Sequence, residues 1–485
     1  MGVLPAARCA CRRPVARLSP LPFLLRRLGE LRIIAAACEQ GLVRDGILTL
    51  ADLDLAIAEQ RPSTADPALR RAAGVLAQER RPLDLGRAWK ILESFVQSLA
   101  AYCPEVHAIE ISGPMRRAEP LVSSLVLVCR AADPARAIEC ITALPTATEI
   151  LHRTGRRALI LFEGHEVDVR VTTADEYGSL LFTTTGPPAH VVEVLKRRGP
   201  RRSASETEVY THAGLAYLPP EARDTPDAIE RAIGRSALRL VQREDIRGDL
   251  HMHTTDSDGR DPLRRMIQAC HSLGYEYIAI TDHSEHSSAA RTLTLDDIAR
   301  QRDEIARLRE EVPGMEILHG LEVDILPGGT LDCPDAVLAS LDIVLASLHE
   351  SAGQDGPELT RRCLGAIRHP LVSAISHPAN QLVGRRPGYD MDYGAIYEAA
   401  AETGTALEID GAPAHLDLNG ERAGEAVRAG VTLVIDSDCH RSRALDRHMR
   451  MGVGTARRGW VEPGHVLNTR TLDEVQAFLA RKRSR

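Results

Sequence analysis

The second half of this chain is constrained by an alternation of two periods. From residue 246 onward, short β-type runs at 248–251, 277–281, 316–322, 342–348, 372–376, 405–410 and 431–437 alternate with amphipathic helical stretches at 262–273, 295–311, 359–368, 391–403 and 420–429. Strands separated by helices pair in parallel. Seven such units in about 240 residues predict a closed parallel barrel rather than an open sheet.

In a parallel barrel the functional face lies at the C-terminal ends of the strands, so the residues there carry the chemistry. The first run ends in His251-Met252-His253, followed by Asp258-Gly259, and the second in Thr281-Asp282-His283. The third ends in Gly320-Leu321-Glu322, the fourth in Ser347-Leu348-His349 and the fifth in Ser376-His377-Pro378. The seventh ends in Asp436-Ser437-Asp438-Cys439-His440, while the sixth, ending in Glu408-Ile409-Asp410, is ambiguous. Thirteen of the 18 histidines lie in this half. A lone histidine such as His349 is more often structural than a ligand. Alternate residues on a strand share a face, however, so both imidazoles of the His-Met-His step can reach one ion. Buried imidazoles and carboxylates without partners are costly, and so many converging on one rim are tolerable only around positive charge. Divalent cations there would neutralise phosphate-ester oxygens, acidify a water and stabilise the leaving oxygen. Mixed nitrogen and oxygen ligands suit Zn²⁺, Mn²⁺ or Fe²⁺. His271, His319, His369, His448 and His465 fall off the rim and are read as structural; His286 is near it but off pattern, and Cys439 is read as a packing residue.

The rest of the 485 residues has a different character. Residues 24–105 carry helical spacing, at 24–40, 50–59 and 85–102. Residues 106–245 mix β-rich runs at 107–112, 121–129, 158–162 and 166–171 with helices at 134–144 and 225–243, and 196–202 is a basic stretch read as a solvated linker. Residues 1–23 are Arg-rich without a clear cleavage site, and are expected to be disordered. No apolar run approaches the roughly 20 residues needed to cross a bilayer. Ten scattered cysteines with no CxxC pair predict reduced thiols in a soluble, cytoplasmic protein. Residues 1–245 hold 33 basic and 30 acidic groups against 27 and 37 in 246–485. An acidic barrel does not bind nucleic acid by its charge alone, but can do so once cations fill its site.

The series His-Met-His at 251–253, Ser-Asp-Gly at 257–259, Thr-Asp-His at 281–283, Gly-Leu-Glu-Val-Asp-Ile-Leu at 320–326, Ser-Leu-His at 347–349, Ser-His-Pro at 376–378 and Asp-Ser-Asp-Cys-His at 436–440 resembles the PHP (polymerase and histidinol phosphatase) domain. The likeness is greatest to the PHP domain at the C-terminus of bacterial family X DNA polymerases and covers essentially all of 246–485. It implies an α/β chain whose distorted (β/α)7 barrel holds three divalent metals (Zn, Mn or Fe). On that resemblance His251, His253, Glu322 and Asp438 hold the first metal, and Glu322 bridges to a second held also by His349 and His377. Asp258, His283 and His440 hold the third. His251, His253, Glu322 and Asp438 are the expected catalytic set.

The first half resembles the polymerase part of the same family as a degenerate copy: a helical region at 24–105, then a nucleotidyltransferase-like α+β domain at 106–245. Gly113-Pro114-Met115-Arg116-Arg117 is similar to the family's GS-x-RR segment, but two metal-binding aspartate positions hold Ser124 and Val126, leaving Asp168. One carboxylate does not anchor two metals, so polymerase activity is expected to be absent. In the barrel, Gln381 and His415 stand where the family has arginines, which leaves Arg385 and Arg386 as candidate contacts for substrate phosphate. The implied function is phosphoester hydrolysis, with 3′–5′ exonuclease action on DNA in repair. The alternatives are a small-molecule phosphomonoesterase of the histidinol phosphatase type, and a non-catalytic DNA-repair scaffold using 196–202. Its partners are then a phosphate-ester substrate or DNA, and not a membrane.

Overall fold

A computed structural model describes residues 22–30, 41–67, 69, 70, 73, 74, 76, 81–234, 238–287 and 291–484. The expectation of disorder over 1–23 falls outside these residues up to 21, as does the helix expected over 31–40. Phe23 opens the helix Phe23–Glu30 and donates its N–H to the Glu166 carboxylate at 2.6 Å.

Seven parallel strands form the second half: Gly248–Asp249, Tyr277–Ile280, Glu316–Asp324, Ile343–Ser347, Ala374–Ile375, Ala406–Asp410 and Leu433–Asp436. They lie side by side in sequence order. Helices Leu263–Ser272, Leu295–Leu308, Gly356–Arg368, Tyr393–Thr403 and Gly420–Arg428 connect them, as the spacing predicts, and Leu445–Arg458 follows the last strand.

The period of two in a strand explains how one sheet serves as both core and site. Leu318, Leu345, Ala374, Ala406, Val434 and Ala279 face the barrel interior, while Leu321, Val344, Ile375, Leu407, Ile435 and Ile278 pack under the helices. Continuing the interior face by steps of two leads to Glu322, Ser347 and His349, Ser376, Glu408 and Asp410, Asp436 and Asp438, and Thr281 and His283. The interior is thus apolar at one end and polar at the other. The final helix, Leu472–Arg483, closes the apolar end with Val475, Phe478 and Leu479.

The ring is joined between its first and last strands by side chains in place of a ladder. The buried amide of Asn468 donates to Gly248 O at 2.8 Å and Ile435 O at 2.6 Å and accepts from Ile435 N at 3.1 Å. Asp436 accepts from Leu250 N at 2.7 Å, and Asp249 from Ser437 N at 3.1 Å. A parallel bridge between Met252 and Cys439 completes the seam above them, and Cys439 is fully buried in the hydrophobic core, as expected of a packing residue.

The first half is built on a mixed sheet of Val106–Ser112, Leu125–Ala131, His165–Thr172, Arg157–Phe162 and Glu149–Arg153, in that spatial order. Helices Leu85–Tyr102 and Pro134–Thr142 cover one face. Four sequence expectations are corrected. The run at 121–129 breaks at Ser123-Ser124, and Leu121–Val122 pairs with Leu83–Asp84 instead. The strand Glu149–Arg153 was not anticipated. The stretch at 196–202 is not simply a linker, because Lys196, Arg197 and Arg198 end the helix Pro188–Arg198, which begins on a proline. Among the described residues, the helix expected over 225–243 is helical only at Ala228–Ala232; Gly234 turns left-handed, and Val241 N donates to Val461 O at 2.9 Å.

The two halves pack on each other closely. Leu416 and Met451 of the barrel are buried in the core of the first half. Arg457 pairs with Glu221 through contacts of 2.9 and 3.1 Å. At Gly86 a Cβ atom would lie 2.7 Å from Pro413, so the first turn of Leu85–Tyr102 rests directly on the loop after the sixth strand.

Candidate metal centre

The polar mouth of the barrel gathers all nine residues expected as ligands. Glu322 is its hub. Its Oε1 lies 2.8 Å from His377 Nε2 and 3.3 Å from His349 Nε2, and its Oε2 lies 3.0 Å from His283 Nδ1, 3.5 Å from His251 Nε2 and 3.6 Å from His253 Nε2. Asp438 Oδ1 is 3.1 Å from His253 Nε2 and 3.7 Å from His251 Nε2. Asp258 Oδ1 is 3.1 Å from His440 Nε2 and 3.5 Å from His283 Nε2. Three sets have donor atoms within 4.8 Å of one another: His253, Asp258, His283 and His440; His251, His253 and Asp438; and His283, Glu322 and His349. A further set, Asp410, His415 and Asp438, was not anticipated.

These groups meet without satisfying each other. His253 Nδ1, Asp258 Oδ1, His283 Nδ1, Glu322 Oε2 and His377 Nδ1 are buried and have no hydrogen-bond partner. His251 Nε2 and His253 Nε2 face each other at 3.1 Å. Buried polar atoms are ordinarily paired. Unpaired atoms such as His283 Nδ1, 3.0 Å from Glu322 Oε2, and His253 Nδ1, 4.0 Å from Asp258 Oδ1, fit divalent cations, whose lone-pair demand they would meet. His377 and Asp438 also hold left-handed backbone (φ 28° and 43°), a local cost that collects at functional sites. The mouth opens on one side, where His440 and Asp258 side chains are 34% and 24% exposed, whereas those of His251 and His253 are fully covered.

The acids and imidazoles polarise one another. Burial opposes charge on Glu322, but His349, His251 and His283 hold its carboxyl well below the usual range. Burial likewise opposes charge on His349, yet Glu322 and Asp324 raise it to about 10. His283 is raised to about 9 by Glu322 and Asp258 against its burial, and His440 to about 9 by Asp258 and Asp438. His253 goes the other way, to about 4, through burial and the neighbouring His283 and His440.

The groups that aim these side chains were mostly missed in the sequence. Glu408, left ambiguous, accepts from His251 Nδ1 at 2.7 Å and from His377 N at 2.6 Å. Asp324 is hydrogen-bonded to His349 Nδ1. Ser347 and Ser376 donate to Glu322 Oε1 at 2.5 and 3.0 Å. Asp282 accepts from Thr254 N, Thr254 Oγ1 and Gln301 Nε2, each at 2.7 Å, and so fixes the loop carrying Asp258. The interior parity of 408, and the serines two residues before His349 and one before His377, were the available signals. Of the two proposed substrate arginines, Arg386 is tied to Asn380 through two contacts of 2.9 Å. Arg385 is exposed and makes no side-chain bond among the described residues. Gln381 Nε2 donates to His415 O at 2.9 Å and Leu416 O at 2.7 Å, so it holds the neighbouring loop.

The PHP domain family matches residues 249–390. The chain is 37% identical over 434 residues to the DNA polymerase/3'-5' exonuclease PolX of Bacillus subtilis (strain 168), which spans 85% of this chain and 75% of that protein. It belongs to the family X DNA polymerases with a PHP domain. The PHP barrel is accordingly a phosphoesterase domain whose His, Asp and Glu clusters could hold metal ions. It is also 29% identical over 263 residues to a probable phosphatase of Caldanaerobacter subterraneus subsp. tengcongensis, covering 52% of this chain and 96% of that one. A solved histidinol phosphate phosphatase from Lactococcus lactis matches with a TM-score of 0.35 at 16% identity, over 44% of this chain and 95% of that chain. No described helix of this family member is long and apolar enough to cross a membrane.

Proposed function

We propose that this chain is a metal-dependent phosphodiesterase acting as a 3′–5′ exonuclease on DNA, and that its N-terminal half has lost nucleotidyl transfer. The observation that carries the first part is the Glu322 hub, with five imidazoles within 3.6 Å of one carboxylate and unpaired atoms facing inward. His251, His253, Glu322 and Asp438 would hold one divalent ion; Glu322, His349 and His377 a second; Asp258, His283 and His440 a third. Bound there, Zn, Mn or Fe would supply Lewis acidity toward phosphate oxygens and water. The chain's own part is to hold the imidazoles in one tautomer through Glu408 and Asp324, and to admit the ester past Asp258 and His440. The polymerase/exonuclease relative supports DNA as substrate, and residues 246–485 are read as the hydrolase.

Support for the second part lies at Asp168. Both of its oxygens are taken: Arg157 contacts it at 2.7 and 2.9 Å and Arg170 at 3.0 and 2.9 Å. The same two arginines hold Asp52 at 2.7 and 2.6 Å. Ser124, Val126 and Asp168 line a common cavity of about 210 Å³. A lone carboxylate neutralised by two guanidinium groups does not anchor a pair of Mg²⁺ ions.

A phosphomonoesterase reading has one observation in its favour: a probable phosphatase matches over nearly its whole length with the barrel region. The deciding experiment is metal analysis together with nucleotide release from single-stranded DNA in Mn²⁺, on wild type and on His251→Ala with His253→Ala. Release that the double variant loses, with its metal, is the expected result. Turnover of simple monoesters without strand degradation would favour the phosphatase. A metal-loaded wild type that hydrolyses neither would sink both.

A further inference from the structure

Beside the metal mouth lies an open cleft of about 890 Å³, lined by Asp438, His440 and His415 at one end and by Lys90, Arg441, Arg443 and Arg447 along its length. None of these four cationic side chains forms an ion pair among the described residues. Arg447 Nε is buried with no hydrogen-bond partner. The barrel half is acidic overall, with 37 acidic against 27 basic groups, so four unpaired cations at its mouth run against the local composition. Their repulsion is relieved by an anion.

Lys90 comes from the other half of the chain. It lies four residues after Gly86 on the helix Leu85–Tyr102, and residues four apart share a helix face. Gly86 is the point where that face meets Pro413 without a side chain between them. The contact that brings the helix down on the 412–415 loop therefore presents Lys90 to the cleft. A single phosphate at the metals would occupy only a small part of such a space, and a flexible ammonium and guanidinium groups suit phosphates as point-charge and forked donors.

We propose that Lys90, Arg443 and Arg447 hold the phosphates of a nucleic-acid strand next to the ester being cleaved, which makes the N-terminal half one wall of the hydrolase groove. This rests on the phosphoesterase reading above and gives the disabled polymerase half a role in it.

The test uses the full chain and two readouts. With the metal-loaded protein, binding of a fluorescein-labelled, hydrolysis-resistant phosphorothioate single-stranded DNA of about twelve nucleotides, long enough for one groove, is followed by anisotropy across a salt series. Lys90→Ala, Arg443→Ala and Arg447→Ala should each weaken binding about five-fold and lower the salt slope by about 0.7, as for one lost contact to a single strand. Arg264→Ala, an exposed arginine paired with Glu311, removes the same charge elsewhere and should leave both unchanged. With Mn²⁺, the ratio of KM for the oligonucleotide to KM for thymidine p-nitrophenyl phosphate should rise in the three cleft variants. Equal effects of Lys90→Ala and Arg264→Ala, or none from Lys90→Ala in a wild type that degrades the strand, would overturn the groove and leave the hydrolase standing. A wild type that cleaves neither ester overturns both.

Discussion

His251 is held at both ends of its ring: Nδ1 meets Glu408 Oε1 at 2.7 Å, and Nε2 faces Glu322 and Asp438 at 3.5 and 3.7 Å. A carboxylate behind an imidazole fixes which nitrogen carries the proton and raises the basicity of the other. Glu408 also accepts from His377 N, so one acid sets two ring positions. Glu408→Gln should weaken metal affinity by about ten- to a hundred-fold, read by chelator competition. Activity should return at high metal, which a misfolded variant would not show.

Removing Glu322 should be worse than removing its support. Glu322→Gln keeps the shape but takes away the charge that five imidazoles face. Hydrolysis should fall by more than the roughly 100-fold of an outer partner and should not recover with added metal. Full activity in this variant would remove Glu322 from the site.

The pH dependence of the metal-free protein follows from His283, His349 and His440. Burial opposes their charge, but the acids around them raise them to about 9, 10 and 9 from 6.5. Groups raised on folding stabilise fully below pH 6.5 and lose that contribution as pH climbs through 9 to 10. Chelator-treated protein should therefore melt at a lower temperature at pH 10 than at pH 7. Metal replaces the protons, so loading should narrow the difference and release protons near pH 7 to 8, measurable by calorimetry in two buffers. A chelated protein with a flat melting profile would contradict this.

Asp168→Ala should leave strand hydrolysis intact and cost stability. It strands Arg157 and Arg170 beside Asp52, and breaking a buried ion pair typically costs about 3 kcal/mol. Denaturant unfolding and faster proteolysis around residues 41–67 are the readouts. Nucleotide incorporation on a gapped duplex by wild type, lost in this variant, would instead restore the polymerase.

Asn468→Ala tests the seam. It leaves Gly248 O, Ile435 O and Ile435 N without their partners, and buried orphaned groups cost roughly 1–3 kcal/mol each. The barrel should melt early while its metal ligands are unchanged.

Much of the barrel was legible because its strands obey one rule: apolar residues inside until the rim, polar ones at the same parity above. Glu322 and His349 each stand at the end of such a run, whereas His377, one residue past the interior Ser376, is off parity and sits on left-handed backbone. Glu408 obeys the rule as well, but its role depends on two imidazoles from distant strands, which spacing does not reveal. The first strand hides in another way. Leu250 faces the interior core while Met252 packs under the helices, so parity slips just before His251. The helices Tyr177–Thr185, Pro188–Arg198 and Glu206–Ala213 escaped because threonines, prolines and a basic tract mask their short amphipathic faces. Lys90 was invisible for a simpler reason: helical spacing does not reveal that its helix meets the barrel through Gly86 and Pro413.

That contact limits how the two halves can diverge over evolutionary time. Positions 124 and 126 can drift once transfer chemistry is no longer selected, since nothing in the barrel depends on them. Position 86 cannot acquire even a methyl group unless Pro413 yields as well. An enzyme half that had lost its own reaction and was joined in this way would be constrained at its border and free in its centre, the reverse of what an enzyme under selection for its own reaction would display.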